Sequence, residues 1–114
     1  MNAKEKAKFI ANIAVEKKGE DVTIMNMGNT SGLCDYFVIV SAPSSTRMNS
    51  IADDIKKGLY ANGEKIGHRE GVKDKLWCLV DSIDVVVHIF HTDARIFYDL
   101  ENLWKDIPKE VVTS

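Results

Sequence analysis

An uninterrupted apolar run constrains the fold of this chain more than any other feature. Residues 36–40 read Tyr-Phe-Val-Ile-Val, all aromatic or β-branched. A run of this kind, without polar alternation, is typical of a strand that is covered on both faces. Since helices usually supply such cover, the run predicts a strand inside an α/β sheet.

Hydrophobic periodicity, capping residues and turn residues divide the remaining chain into elements. Together they predict one α/β domain, a mixed β-sheet flanked by helices in the order αββαβββα. The predicted helices cover residues 3–18, the stretch from Ser44 to Asn62, and the stretch from Arg95 to Pro108. The predicted strands are 22–27, 36–40, 66–69, 76–80 and 85–90, the last two joined as a hairpin around 81–84.

The whole chain, 1–114, is predicted to be a single domain, because no linker, repeat or low-complexity stretch divides it. The core of this domain is expected to cover about residues 3–106, and residues 107–114 are predicted to be a loose C-terminal tail.

Charge and composition exclude several classes of protein. The net charge is −2 and the isoelectric point is near 5.9, whereas a free-standing nucleic-acid binder normally has a basic face and a value above about 9. No apolar run is long enough to span a membrane, and the N-terminus has no signal or transit-peptide pattern. Cys34 and Cys78 are far apart and predict free thiols in a reducing compartment. These features predict a cytoplasmic protein without membrane or DNA contacts.

Three aspartates are the strongest candidates for catalytic chemistry. Asp35 precedes the second predicted strand, and Asp81 and Asp84 flank the hairpin turn. Carboxylates on neighbouring strands hold the two divalent ions of nucleotidyltransferases. Here the Asp-x-x-Asp spacing would send two side chains of a regular strand to opposite faces, and no phosphate-binding loop opens a helix. A polar turn whose aspartates cap backbone amides is the favoured interpretation.

The histidines and lysines give weaker signals. His88 and His91, with Asp93 beyond, would point apart on a strand. A hydrogen-bonded His88 in the core or at its rim and an exposed His91 are therefore favoured over a zinc site. A group of basic residues could form either a solvated loop or an RNA-binding surface. The solvated loop is the favoured interpretation, since no aromatic residues are interleaved with the basic ones. The members of this basic patch are Lys65, His68, Arg69, Lys73 and Lys75.

Trp77 and Leu79 are the most informative side chains for binding. In the predicted strand 76–80, alternation places these two on one face and Leu76, Cys78 and Val80 on the other. If the even-numbered side faces the helices, Trp77 and Leu79 point away from them and offer an anchor for a protein partner. The alternative is that a terminal helix covers this face and makes both residues core; the pattern leaves the two open.

Several segments together closely resemble the ribosomal silencing factor family, also called the Iojap or RsfS family. The combination of D-Y-F-V-I, D-V-V-V-H-I-F and F-Y-D-L-E-x-L-W is highly specific, and the resemblance runs from about Val22 to Asp106. The matching segments are 35–41, 44–47, 51–53, 70–71, 77–81, 84–90 and 95–101, followed by Leu103, Trp104 and Asp106. The chain departs from the family at Ile83, where members commonly have glycine, which puts the geometry of this turn in doubt.

The resemblance implies a function, partners and a fold. Family members bind the large ribosomal subunit through its ribosomal protein fourteen, block joining of the small subunit and so repress translation. They are also linked to large-subunit assembly and are often homodimers when free. The fold is related to that of nucleotidyltransferases, without their catalytic signature, so no catalysis or cofactor is expected.

Two further functions compete with this binding module. The binding hypothesis places the interface on Trp77 and Leu79, surrounded by Asp81, Phe90, Tyr98 and Asp99. The second hypothesis is a degenerate nucleotidyltransferase that uses Asp35, Asp81 and Asp84 with magnesium and a nucleoside triphosphate. The third is direct RNA binding through the basic patch, and in the favoured interpretation any contact with ribosomal RNA is at most peripheral.

Overall fold

Two long helices begin at polar caps, of which the cap at Ser44 was predicted from the sequence. A computed structural model describes residues 1–28, 35–66, 68–71, 77–95 and 109–112. Helix α1 spans Ala3–Glu16 behind a capping box, in which the Asn2 side chain accepts from the Glu5 backbone N–H and the Glu5 side chain accepts in return. Helix α2 spans Ser45–Ala61, and the Ser44 side chain caps its first turn by accepting from the Arg47 N–H.

The helical spacing of apolar residues predicts one buried stripe on each helix, and both stripes face the core. The predicted stripe residues are Ala7, Ile10, Ala11, Ala14 and Val15 in α1, and Met48, Ile51, Ala52, Ile55 and Leu59 in α2. All five predicted residues of α2 are buried, and in α1 four are buried while Val15 is half-buried. The buried stripe residues are Ala7, Ile10, Ala11 and Ala14 in α1, and Met48, Ile51, Ala52, Ile55 and Leu59 in α2.

In the described part of the chain six strands form one sheet, and the predicted mixed character is confirmed. The strands are β1 (Glu20–Asn26), β2 (Tyr36–Ala42), β3 (His68–Gly71), β4 (Trp77–Ser82), β5 (Val85–His91) and β6 (Lys109–Val111). Their order across the sheet is β3-β4-β5-β2-β1-β6. β2 and β5 are parallel to each other, whereas every other neighbouring pair is antiparallel. The apolar run of β2 therefore lies between two strands, as its composition predicts.

The main core lies between the sheet and the two helices. It joins the helix stripes to one face of the strands, including Val38 and Val40 of β2 and Val87 and Ile89 of β5. A second apolar cluster, distinct from the first, contains Met25, Met27, Phe37, Ile39 and Phe90, with Trp77 and Val86 packed against it. Since strand residues alternate between faces, this second cluster occupies the face of the sheet away from α1 and α2.

A close approach between α1 and β2 explains why glycine follows the first helix. Lys18 has a positive φ of 64°, which turns the chain out of the helix. A Cβ on Gly19 would lie 2.7 Å from Cγ1 of Val40 and 2.8 Å from the carbonyl oxygen of Ala14. Glycine is therefore required at this position by the packing of the helix end against β2.

The prediction of a loose C-terminal tail is wrong for residues 109–111. These residues form β6, which pairs with β1 at the edge of the sheet, and the Val112 N–H donates to the Val22 carbonyl at 2.8 Å. The short, partly polar segment has no period-2 pattern long enough to predict a strand, and it is stabilised by pairing with a strand distant in sequence.

Other element boundaries shifted by a few residues. A four-residue helix, α3 (Thr92–Arg95), precedes and overlaps the predicted start of the last helix at Arg95. Its predicted continuation from 96 to 108 lies outside the described residues. In the part of the chain that is described, no helix combines the length and apolar character needed to cross a membrane.

Candidate functional site

Strand β4 presents two different faces, and the predicted alternation is confirmed. Cys78, Val80 and Ser82 are buried toward the helices, whereas Trp77, Leu79 and Asp81 are only half-buried. These three half-buried side chains lie on the sheet face that carries the second apolar cluster. Trp77 thus combines both predicted alternatives, because it packs against a second core and keeps part of its surface open.

The register of the hairpin places aromatic residues beside Trp77. Trp77 pairs directly with Phe90, and Leu79 pairs with His88. His88 is therefore a diagonal neighbour of Trp77, a distance that large side chains can bridge. We call the four rings on this side the aromatic face: Phe37, Trp77, His88 and Phe90.

Stacking and edge contacts hold the aromatic face together. The Trp77 ring lies 5.3 Å from the Phe90 ring at an interplanar angle of 23°, and 5.7 Å from the His88 ring at 25°. Phe37 meets His88 edge-on at 4.6 Å and 65°. These centroid distances and angles are those that favour aromatic attraction beyond simple burial.

A hydrogen bond joins the two polar rings of the face. The indole Nε1–H of Trp77 donates to Nδ1 of His88 at 3.2 Å. His88 is 6% exposed, and burial lowers its pKa to about 4, because the charged imidazolium loses its hydration there. His88 is therefore neutral at physiological pH.

The other predicted interface residues occupy different environments. Phe90 is buried, at 1% exposure, and its ring stacks against the ring of Trp77. The Asp81 carboxylate accepts the Ile83 backbone N–H at 2.9 Å, across the tight turn. Tyr98 and Asp99 lie outside the described residues.

The three candidate catalytic aspartates do not share one environment. Oδ1 of Asp84 lies 2.6 Å from Nζ of Lys6, on the helix side of the hairpin, and the Asp81 side chain caps the turn. Asp35 is exposed and uses its backbone N–H to bond the Asp84 carbonyl. The favoured interpretation, an aspartate that caps a backbone amide, is confirmed for Asp81. Among the described residues no group of three or more acidic, histidine or cysteine side chains converges to hold a metal ion.

The two strand histidines differ in burial. His88 lies in the core, as predicted, with Nδ1 hydrogen-bonded but Nε2 without a partner among the described residues. The prediction of an exposed His91 is wrong, because its side chain is only 21% exposed. His91 Nδ1 accepts the backbone N–H of Asp93, a local contact at the start of α3.

The described members of the basic patch lie after α2 and in β3. Lys65 is exposed, and its carbonyl accepts from the Ser82 hydroxyl. His68 and Arg69 lie in β3, paired with Asp81 and Val80 of β4. Lys73 and Lys75 lie outside the described residues, as does Cys34, and Cys78 is a buried free thiol.

Sequence reasoning missed two polar contacts. Lys6 was not predicted in the helix stripe, yet it is buried at 5% exposure and its Nζ also donates to the Ser82 carbonyl. Hairpin register was the signal that could have found the Trp77–His88 bond, because counting outward from the predicted turn at 81–84 already places Trp77 opposite His88. In the structure β4 ends at Ser82 and β5 begins at Val85, so the loop between them has two residues. Pairing the strands outward from this loop makes Phe90 the direct partner of Trp77.

Comparison with known proteins assigns the chain to a family. A family model described as "Ribosomal silencing factor during starvation", RsfS, matches residues 1–114. The ribosomal silencing factor RsfS of Bacillus subtilis is 40% identical over 108 residues, covering 95% of this chain and 92% of the relative.

Two solved structures share the fold. A crystal structure from Bacillus halodurans has a TM-score of 0.81 at 36% identity, covering 96% of this chain and 99% of that one. A protein from Chromobacterium violaceum has a TM-score of 0.87 at 25% identity, covering 100% of this chain and 95% of the other. The match over the full sequence, together with the shared architecture, shows that this chain belongs to the ribosomal silencing factor (RsfS) family.

Proposed function

We propose that this protein binds the large ribosomal subunit through ribosomal protein fourteen and thereby blocks association with the small subunit, repressing translation in the cytoplasm. Membership of the ribosomal silencing factor family supports the ribosome as partner. The proposal assigns the protein no catalytic step and no cofactor.

The observation that carries the proposal is the position of Trp77 and Leu79. Both are half-buried on the sheet face away from the long helices, next to a rigid cluster of stacked rings. An anchor of this kind contributes strongly to affinity, since a large aromatic side chain loses its remaining water contact on docking and is already held in place. Asp81, on the same face of β4, adds a negative charge at the margin.

Occlusion needs only binding, not turnover. A standard interface of about 800 Å² per partner would use about an eighth of the 6488 Å² surface. A domain of 34 × 31 × 28 Å bound at the joining surface excludes the other subunit by its volume. The net charge of −2 favours a basic ribosomal protein over bare RNA as the landing site. A homodimer of the free protein, if it uses the same face, would compete with ribosome binding.

Co-sedimentation with purified large subunits tests the proposed anchor. Leu79→Glu places a charge on the proposed interface and should reduce the bound fraction at least about tenfold, the size of effect expected at a central contact. Tyr60→Glu is the matched control, because Tyr60 is 60% exposed on α2, and it should bind like the wild type.

The same gradients test the consequence for subunit joining. When small subunits are added, the wild type and Tyr60→Glu should diminish the joined-ribosome peak, and Leu79→Glu should leave it intact. Undiminished binding by a folded Leu79→Glu protein would refute the anchor. Unchanged joining in the presence of saturating wild-type protein would refute the occlusion mechanism.

A further inference from the structure

His88 carries an unusual combination of contacts for a buried side chain. Its Nδ1 meets the indole Nε1 of Trp77 at 3.2 Å, while its Nε2 is buried with no hydrogen-bonding partner among the described residues. Buried polar atoms are nearly always paired, so an unpaired one calls for a physical reason.

The reason follows from the chemistry of the two rings. The indole nitrogen of tryptophan can only donate, so Nδ1 of His88 has to be the acceptor and carry no hydrogen. A neutral imidazole then carries its single hydrogen on Nε2. The contact with Trp77 thus selects one tautomer, whose Nε2–H donor has no acceptor among the residues that the structure describes.

Stacking alone does not determine which way the indole points. The rings of Phe90 and His88 are nearly parallel, at 8° to each other, and both lie roughly parallel to Trp77. Such a stack is compatible with either of the two flipped orientations of an indole about χ2. The directional bond from Nε1–H to Nδ1 favours the orientation in which the indole nitrogen faces His88.

We propose that His88 is a positioning residue for partner binding: as the Nε2–H tautomer it fixes the orientation of Trp77, so that one defined edge of the indole is presented on the docking surface. The neighbours keep the imidazole itself in place, because Phe37 contacts it edge-on and Leu79 and Ile39 lie opposite it on the adjacent strands. The effect on partner binding rests on the proposed function, whereas the hydrogen bond between Trp77 and His88 does not depend on it.

The tautomer is measurable in the unmodified protein. Long-range ¹H–¹⁵N correlation of the histidine rings at pH 7 should show His88 with hydrogen on Nε2 and a bare Nδ1. In Trp77→Phe, which keeps an aromatic ring and removes the indole N–H, this preference should weaken. An Nδ1–H tautomer in the wild type would overturn the proposal.

Two substitutions of His88 separate positioning from packing. Asn places an oxygen near the former Nδ1 and can still accept from the indole, whereas Leu fills similar space and cannot. The Trp77 indole proton should exchange with solvent about five- to tenfold faster in His88→Leu, the factor expected for loss of one hydrogen bond, and close to the wild-type rate in His88→Asn. Equal exchange rates in two folded variants would refute the role of the bond.

Binding to large subunits supplies the functional readout. We expect His88→Leu to weaken binding about five- to tenfold and His88→Asn to restore most of it. If the indole responds as described but His88→Leu binds normally, the bond holds the indole without affecting docking, and the proposed positioning role in binding fails. If Leu79→Glu abolishes binding while His88→Leu binds normally, the proposed function stands and the positioning role fails.

Discussion

Nζ of Lys6 lies 2.6 Å from Oδ1 of Asp84, although 78 residues separate them along the chain. The same Nζ donates to the Ser82 carbonyl at 3.2 Å and lies 3.8 Å from Oε1 of Glu64. A buried lysine thereby ties the start of α1 to the β4–β5 hairpin and to the segment after α2. Loss of one partner of such a buried group is costly, because the remaining polar atoms keep their desolvation penalty.

Replacing this lysine should therefore destabilise the fold. Lys6→Met keeps the length of the side chain and removes the charge, and we expect the free energy of unfolding to fall by about 2 kcal/mol. Urea denaturation measures the change. Lys8→Met is the matched control on the same helix, since Lys8 is exposed, and it should change the stability by less than about 0.5 kcal/mol. Equal losses in both variants would contradict a specific role for Lys6.

The hairpin turn stores backbone strain at Ile83. This residue has a φ of 68° and is 61% exposed, and the Asp84 N–H donates back to the Ser82 carbonyl at 2.8 Å. A β-branched residue is rare in this conformation, which glycine adopts without strain. We expect Ile83→Gly to raise the free energy of unfolding by about 0.5–1 kcal/mol, the relief of strain exceeding the extra flexibility of the unfolded chain.

An alanine variant separates backbone strain from side-chain loss at the same turn. Ile83→Ala removes the β-branched side chain but keeps the Cβ that disfavours a positive φ, so it should show only part of the gain. Thermal unfolding of the three proteins side by side gives the comparison. A gain in the alanine variant equal to that of the glycine variant would mean that the exposed side chain, and not the φ angle, is the source of the strain.

The end of the chain contributes to stability through one of two adjacent valines. Val112 is half-buried against the main core and its N–H bonds Val22, whereas Val111 is 68% exposed. Val112→Asp should lower the free energy of unfolding by about 1–2 kcal/mol, because a carboxylate would be brought against apolar side chains. Val111→Asp should stay within about 0.5 kcal/mol. Denaturant midpoints of the two variants are compared with that of the wild type, and a wild-type midpoint for Val112→Asp would show that the packing of Val112 adds little to the fold.

The parts of the fold that were predictable are those that depend on local periodicity. The stripe of α2 follows from its 3.6-residue spacing, and the two faces of β4 follow from strict alternation of Trp77 and Leu79 with Cys78 and Val80. The mixed sheet was also predicted, and its central parallel pair, β2 with β5, agrees with the apolar run in β2.

The parts that were not predictable depend on contacts between distant segments. Lysine side chains are rarely buried, so nothing in the α1 pattern indicated that Lys6 meets Asp84. β6 exists because β1 offers an edge to pair with. The contact of Trp77 with His88 depends on hairpin register, and a register one residue different would move every side chain to the other face.

The buried His88 should make stability depend on pH in a defined range. Its pKa in the folded protein is about 4, lowered by desolvation, against about 6.5 in an unfolded chain. Between these values the unfolded state binds the extra proton, so the free energy of unfolding falls as the pH drops from about 6.5 toward 4. A difference of this size corresponds to about 3 kcal/mol in total, since each pKa unit is worth about 1.4 kcal/mol.

Urea titrations between pH 7 and pH 4.5 measure this contribution. Carboxylates also begin to titrate at the lower end, so the informative quantity is the difference between variants that share them. In His88→Asn the decline should be flatter than in the wild type, because the group that protonates on unfolding is gone. His91→Asn is the control: His91 is less buried than His88 and contacts Asp93 locally, so this variant should retain the wild-type slope. If both variants kept the wild-type slope, a neutral, desolvated His88 would be excluded as the source of the pH dependence.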